Sequence, residues 1–372
     1  MQLLSLTYEH FRNLKRVQLV PGPRATVAVG ENGQGKTNLL EGLYFLATLK
    51  PLRAAKLSEL VAFGQPTARV TGRFLLSGAE REISVEVGAG SRQAYVDGKR
   101  AASLEAYFGG VSVVAFTPDD LQVVKGGPEG RRNFLDRAVF NRFPAFLTES
   151  REYVKALKSR NRLLKEGAPA AHLSAWDATL ARVGARLWSR RRALMGELAV
   201  RAQGAFFHIG RTEEPAQYGY VPSHVDGLDF AAATELQLQL ALAAALELRL
   251  PRDQERGFTS VGPHVDDLEL SLGIHAARAF ASQGQARALV LAWKVAEIEN
   301  LHAHSGFLPL LLLDDVSSEL DPERNQYLMS YLAESGAQVF LTTTDPALVQ
   351  RAAGLGTVWY QVKAGTVERA SS

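Results

Sequence analysis

The residues best placed to do chemistry are Gly30-Glu31-Asn32-Gly33-Gln34-Gly35-Lys36-Thr37: a glycine, four residues, then Gly-Lys-Thr. Glycines let a backbone turn sharply and bring its N–H groups against phosphate oxygens, and a helix starting there adds partial positive charge. The apolar run Ala25-Thr26-Val27-Ala28-Val29 precedes the motif and Asn38-Leu39-Leu40-Glu41-Gly42-Leu43 follows, so a strand runs into a helix as a phosphate loop requires. The expected ligand is a nucleoside triphosphate, with Lys36 reaching the β- and γ-phosphates and the Thr37 hydroxyl on Mg²⁺. A glycine-rich turn without chemistry is the bland alternative.

A second constellation is Leu310-Leu311-Leu312-Leu313-Asp314-Asp315, an apolar strand delivering two carboxylates at its C-terminal end. In a parallel sheet that end is where ligands bind. A Mg²⁺ ion bridging two phosphates needs one carboxylate there, and a hydrolytic water needs another acid to orient or deprotonate it. Asp314 is assigned to the metal and Asp315 to the water; two solubilising acids at a strand end are the alternative. Ser282-Gln283-Gly284-Gln285 opens the helix leading into that strand, and by itself is only a helix start.

The elements that must position these residues follow from periodicity. Residues 3–20 read as two strands around Asn13-Leu14-Lys15, ended by Pro21-Gly22-Pro23. Residues 39–49 carry apolar side chains at helical spacing, and residues 68–96 alternate with period two as an antiparallel meander. A strand over 111–116 stops at Thr117-Pro118-Asp119-Asp120. Tyr153, Leu157, Arg160 and Leu164 then share one helix face, and Val183, Leu187, Leu194 and Leu198 another, with Gly167-Ala168-Pro169 between them, predicting an antiparallel helical arm. A third helix is expected over 230–248, ending before Pro251. Strand signals return at 258–261, 267–272, 308–313 and 339–341, with a helix over 286–298 and a last hairpin turning at Ala364-Gly365. The expectation is an α/β head at 1–121 and 259–372, carrying an antiparallel β subdomain and split by an inserted helical arm domain at 122–258.

Composition narrows the class. The 372 residues suffice for two domains, and 46% apolar with 22% charged residues is ordinary for a globular chain. Without cysteine there is no disulfide framework, thiolate metal site or thiol nucleophile, which fits a reducing cytosol. The eight histidines show no zinc spacing. No signal peptide is recognisable and no run approaches the ~18 apolar residues of a membrane span, so a soluble cytoplasmic protein is expected. The net charge of +3 hides a basic middle: residues 122–258 hold 21 Lys/Arg against 15 Asp/Glu. Within it, 131–201 hold 16 against 6, densest at Arg190-Arg191-Arg192. Such a surface would attract a polyanion, with steep salt dependence and little sequence preference, and a solvated basic helix face is the alternative that charge alone leaves equally open. Few aromatics interleave, which favours contact with a duplex backbone over stacking on single strands.

Taken together the motifs resemble the ABC-type ATPase head of SMC-like proteins, and within them the RecF family. The resemblance rests on the phosphate loop near the N-terminus, the S-x-G-Q signature about thirty residues before the acid strand, Ser317-Ser318-Glu319-Leu320-Asp321, and Thr342-Thr343-Thr344-Asp345. Phe11-Arg12-Asn13, Lys125-Gly126-Gly127-Pro128, Arg131-Arg132-Asn133-Phe134-Leu135-Asp136 and Gly262-Pro263-His264 extend it over nearly the whole chain. It implies ATP and Mg²⁺ as cofactors. Gly30, Asn32, Gly33, Gln34, Gly35, Lys36, Thr37 and Asn38 would bind the nucleotide, with Arg12 and Asn13 beside them. In such heads one protomer's signature closes on its partner's nucleotide, so Ser282, Gly284 and Gln285 would touch the partner's γ-phosphate and Asp321 would cross the same interface. Lys36, Ser282 and Asp315 would carry turnover, and Thr344 stands at the switch position where such heads usually hold His. Val265 stands where the family pattern has Arg, and no Gln-bearing metal loop is placed over 117–122. The implied activity is a slow DNA-dependent ATPase whose ATP-bound homodimer clamps DNA at junctions of single and double strands and, with RecR and RecO, helps load RecA at gaps. A transport-type ATPase subunit and a DNA-bridging SMC-like protein are the rivals. The basic arm and the absent glycine pair in the signature argue against the first, and the short arm against the second.

Overall fold

Five short runs from distant parts of the chain make the central sheet. Val358–Lys363, Ala25–Val29, Val339–Thr343, Leu310–Asp314 and Val113–Phe116 lie side by side in that order, all parallel, with Thr366–Arg369 added antiparallel through the Ala364-Gly365 turn. The inner strands are apolar on both faces rather than alternating, as buried parallel strands must be. The other sheet is antiparallel, in the order Leu14–Leu19, Gln2–Phe11, Thr67–Leu76, Ala79–Gly88, Ser91–Val96, Lys99–Arg100. The helix Lys36–Thr48 packs against strands of both sheets, which is why it is apolar nearly all round. Gly42 allows the approach: a Cβ there would lie 2.3 Å from the Tyr8 ring.

This computed structural model describes all residues except Ala54, Ala55, Ala89, Arg211, His224, Asp226, Arg351, Ala352, Ala353, Leu355, Ser371 and Ser372, and the side chain of Glu105. The chain divides into two compact units, Met1–Leu121 with Lys294–Ser372, and Gln122–Trp293. Residues 259–293, expected in the head, thus belong to the second unit. There Asp267–Leu272 pairs antiparallel with Ala216–Val221, and Trp293 packs on Phe134 and Tyr218.

The second unit is built on the helices Pro128–Arg142, Phe146–Lys165, Ala170–Ile209 and Glu235–Arg256. Three local expectations are corrected. Ala216–Val221, Asp267–Leu272 and His275–Ala276 form a three-stranded sheet, so the insertion is not wholly helical. The helix Glu235–Arg256 passes through Pro251, and residues 258–261 form no strand.

A further correction concerns charge. Arg191, in the densest basic cluster, is only 3% exposed; it donates twice to Asp136 (2.8 and 3.0 Å) and once to the Pro263 carbonyl (2.7 Å). Arg192 donates to the Phe230 and Ala233 carbonyls, and Arg190 pairs with Glu149. Arg160 is fully buried among Asp177, Asp253 and Thr259. These guanidiniums tie helices together rather than face a polyanion. Arginine suits the task because its fork satisfies two or three acceptors at once.

Candidate nucleotide-binding site

The phosphate loop joins the strand Ala25–Val29 to the helix Lys36–Thr48 at the C-terminal edge of the parallel sheet. Gly33 and Gly35 take positive φ (78° and 111°), and a Cβ on Gly35 would lie 2.7 Å from the Asn13 amide, so glycine is required there on both counts. Gln34 latches the loop from outside: its carbonyl accepts from the Gly365 N–H and the Asn13 amide, and its side-chain oxygen from the Ala364 N–H.

Lys36 is 6% exposed and its ammonium donates to the Gly30 and Glu31 carbonyls at 2.6 and 2.9 Å. Burial pulls its pKa down, while Asp315 and Asp314 act in the opposite sense. Thr37 donates its hydroxyl to Asp314 Oδ1 at 2.8 Å, and Thr342 donates to the same oxygen at 2.9 Å. Thr342 lies on Val339–Thr343, the strand between the loop strand and the acid strand, so three neighbouring strand ends converge on one carboxylate.

Asp315 sits at φ 50° in the left-handed region, where its backbone N–H is held by the Thr342 carbonyl and hydroxyl. Its side chain is half-buried and Oδ1 has no hydrogen-bond partner among the described residues. Burial pushes its carboxyl pKa up, Lys36 opposes this, and Asp314 reinforces it. Strained backbone and an unsatisfied oxygen beside a buried ammonium mark a group held for something other than stability.

These residues line a cleft of about 250 Å³ with Asn32, Gly33, Gly35, Asn38 and Arg53. Arg53 was not identified in the sequence. Its guanidinium donates to Asn38 Oδ1 (2.8 Å) and to Glu41 Oε2 (3.0 Å), and Glu41, wholly buried, also takes two bonds from Arg12 at 2.9 and 3.0 Å. Arg12 further donates to the Glu59 carbonyl, so its head is fully engaged beside the cleft while Arg53 lines it. Asn13 accepts from Asn38 and so supports the loop from behind.

Two expected residues stand elsewhere in this unit. Thr344 is exposed, immediately after the strand Val339–Thr343. Asp321 caps the helix Pro322–Ser335, accepting from the Arg324 N–H and guanidinium.

In the second unit, Ser282 and Gln285 close a reciprocal capping box at the start of Gln283–Ser305. The Ser282 N–H donates to Gln285 Oε1 at 2.9 Å and the Gln285 N–H to Ser282 Oγ at 3.1 Å. Ser282 and Gln283 are exposed, and Gly284 and Gln285 half-exposed. Also in this unit, Arg151, Lys155 and Lys158 line a groove of about 440 Å³ on the helix Phe146–Lys165 with Ser150, Val154 and Ser159. Among the described residues none of these three cations makes an ion pair. No described helix is long and apolar enough to cross a membrane.

Comparison with known proteins places this arrangement. The family described as RecF/RecN/SMC N terminal domain matches residues 2–367. A DNA replication and repair protein RecF of Myxococcus xanthus is 70% identical over 99% of this chain and 97% of its own length, and that of Anaeromyxobacter sp. (strain Fw109-5) is 56% identical over 99% of each. The structure of the recombination mediator protein RecF with ATP in the RecFOR pathway is 30% identical with a TM-score of 0.87, covering 100% of this chain and 98% of that one. An Smc head bound to the C-winged helix domain of ScpA, 16% identical with a TM-score of 0.56, shares the fold. With the phosphate loop, the acid strand and the exposed S-x-G-Q corner held in one RecF-like architecture, the chain belongs to the RecF family of SMC-like proteins.

Proposed function

We propose that this protein is an ATP-dependent DNA-binding factor of recombinational repair, in which two protomers close on ATP and on DNA and part after slow hydrolysis. The observation that carries the reading is the 2.8 Å bond between the Thr37 hydroxyl and Asp314, which joins phosphate loop to acid strand. Those two oxygens are the donor set that Mg²⁺ takes beside a triphosphate, hard oxygens from one hydroxyl and one carboxylate. When bound, the ion would neutralise charge between the β- and γ-phosphates. Lys36 exchanges its loop carbonyls for phosphate oxygens, the loop N–H groups cradle the phosphates, and Arg53 adds a second cation. Asp315 orients the attacking water: its unsatisfied oxygen accepts a proton-bearing neighbour without displacing one.

Ser282, Gly284 and Gln285 meet the partner's γ-phosphate, and Asp321 crosses the interface between protomers. DNA, duplex or at a junction with a single strand, is held by backbone charge at the Arg151, Lys155 and Lys158 groove. RecR and RecO are the partner class in this reading, with RecA downstream, and the RecFOR pathway named for the relative of known structure supports it. The test is sedimentation with ATP and tailed duplex. Wild type should shift to a dimer, Lys36→Arg should fold but not shift or not turn over, and Ser282→Arg should bind ATP as a monomer. A wild-type mass unchanged by ATP and DNA would refute the reading.

A further inference from the structure

Lys125-Gly126-Gly127-Pro128 has no part in the nucleotide cleft, yet the side chain of Lys125 is fully committed. Its ammonium donates to three backbone carbonyls, Ala277 (3.4 Å), Arg278 (3.2 Å) and Ala281 (2.5 Å). Three acceptors match the three N–H donors of a lysine. All three belong to the four-residue helix Ala277–Phe280 and the residue after it, immediately before Ser282. So short a helix supplies few N–H partners for its carbonyls, Ala277 taking that of Ala281 at 3.0 Å, and a cation at its C-terminal end adds the donors that a further turn would have supplied.

The grip on Lys125 is itself anchored. The Arg131 guanidinium donates to the Gly126 carbonyl at 2.6 Å and, bidentately, to Asp267 at 2.7 Å for each bond. Asp267 begins the strand Asp267–Leu272, whose hairpin with His275–Ala276 leads straight into Ala277–Phe280. The path closes on itself: strand, Arg131, the Gly126 turn, Lys125, the short helix, and back along the chain to the strand. Downstream, the Ser282–Gln285 capping box fixes the corner against its own helix. Upstream, Lys125 supplies the corresponding hold.

We propose that Lys125 is a positioning residue for the Ser282-Gln283-Gly284-Gln285 corner, setting the path by which that exposed corner is presented to a second protomer's triphosphate. This rests on the nucleotide-sandwich reading above. Lys125 touches no nucleotide; it acts through residues 277–281.

The test uses the full chain with Lys125→Met, which keeps the apolar stem and removes the donors, and Lys125→Arg, which restores part of them. Amide hydrogen exchange should quicken about tenfold or more over residues 277–285 in Lys125→Met, the loss of one or more charged hydrogen bonds, and stay at the wild-type rate over residues 30–37. ATP should bind the monomer as in wild type, while ATP-driven self-association weakens by about tenfold or more and Lys125→Arg falls between. Unchanged exchange over 277–285, or self-association equal to wild type, would overturn the proposal. A wild type that fails to associate with ATP would instead overturn the sandwich reading on which the role depends; exchange still reports separately whether Lys125 holds the segment.

Discussion

Replacing Glu41 by Gln tests how the cleft is braced, because this carboxylate is wholly buried yet receives three guanidinium bonds, two from Arg12 and one from Arg53. Hydrogen bonds to charged groups contribute about 1.5–3 kcal/mol each when dry. The Arg53 side chain is 45% exposed, so its share falls towards the ~0–1 kcal/mol of a surface pair. Arg12, 19% exposed, keeps most of its contribution, and an amide can still accept one of its bonds. The expected loss of unfolding free energy is therefore about 2–4 kcal/mol, read as a lower urea midpoint at unchanged slope. A double-mutant cycle with Arg53→Ala should give a coupling below about 1 kcal/mol. ATP affinity should also fall, since Arg53 exchanges a charged acceptor for a neutral amide and is then held over the cleft chiefly by Asn38. A Glu41→Gln protein within about 0.5 kcal/mol of wild type would refute the claim that this carboxylate braces the site.

Other substitutions probe the remaining parts. Asp315→Asn should stabilise the nucleotide-free protein: its folded pKa is raised, so the penalty is absent below the unfolded pKa and grows as pH rises through the folded one. Thermal melts should show a gain of roughly 1–3 °C at neutral pH that closes towards about pH 4, with ATP turnover abolished. Gly365→Ala should cost about 2 kcal/mol or more by urea melt and weaken ATP binding, because at φ 79° its Cβ would lie 2.2 Å from the Asn13 carbonyl oxygen. Arg191→Met should cost about 3–5 kcal/mol by leaving buried acceptors unpaired, without changing the salt slope of DNA binding in the folded protein. Lys155→Ala with Lys158→Ala should do the reverse, leaving stability within about 0.5 kcal/mol and reducing the salt slope by about 2.

The phosphate loop and the acid pair were legible because their chemistry fixes both residue type and spacing, and the flanking apolar runs named their strands. Arg53 was not, since Pro51-Leu52-Arg53 has no pattern and its place depends on Glu41 and Asn38. The role of Thr342 was hidden in the same way: named only as part of Thr342-Thr343-Thr344-Asp345, a hydroxyl at a strand end reads as an ordinary β residue until the neighbouring strand supplies Asp314. The Arg190-Arg191-Arg192 run misled because a charge run is ordinarily solvated, whereas here Asp136 and the Pro263 carbonyl reach it from distant sequence. Pro251 misled for a local reason. A proline loses its own N–H bond and crowds the carbonyl four residues back, and burial of Leu238, Leu242 and Leu246 before it and of Asp253 beyond it offsets that cost.

The chain has no cysteine, so single cysteines can report which surfaces meet. Glu31 and Gln283 are both exposed, one in the phosphate loop and one in the S-x-G-Q corner. Mixing Glu31→Cys protein with Gln283→Cys protein under a short bismaleimide should give a covalent heterodimer with ATP and little without it. Adding Ser282→Arg to the Gln283→Cys chain should abolish that product. Crosslinking that ignores ATP, or that never joins the two proteins, would contradict the claim that one protomer's corner closes on the other's triphosphate.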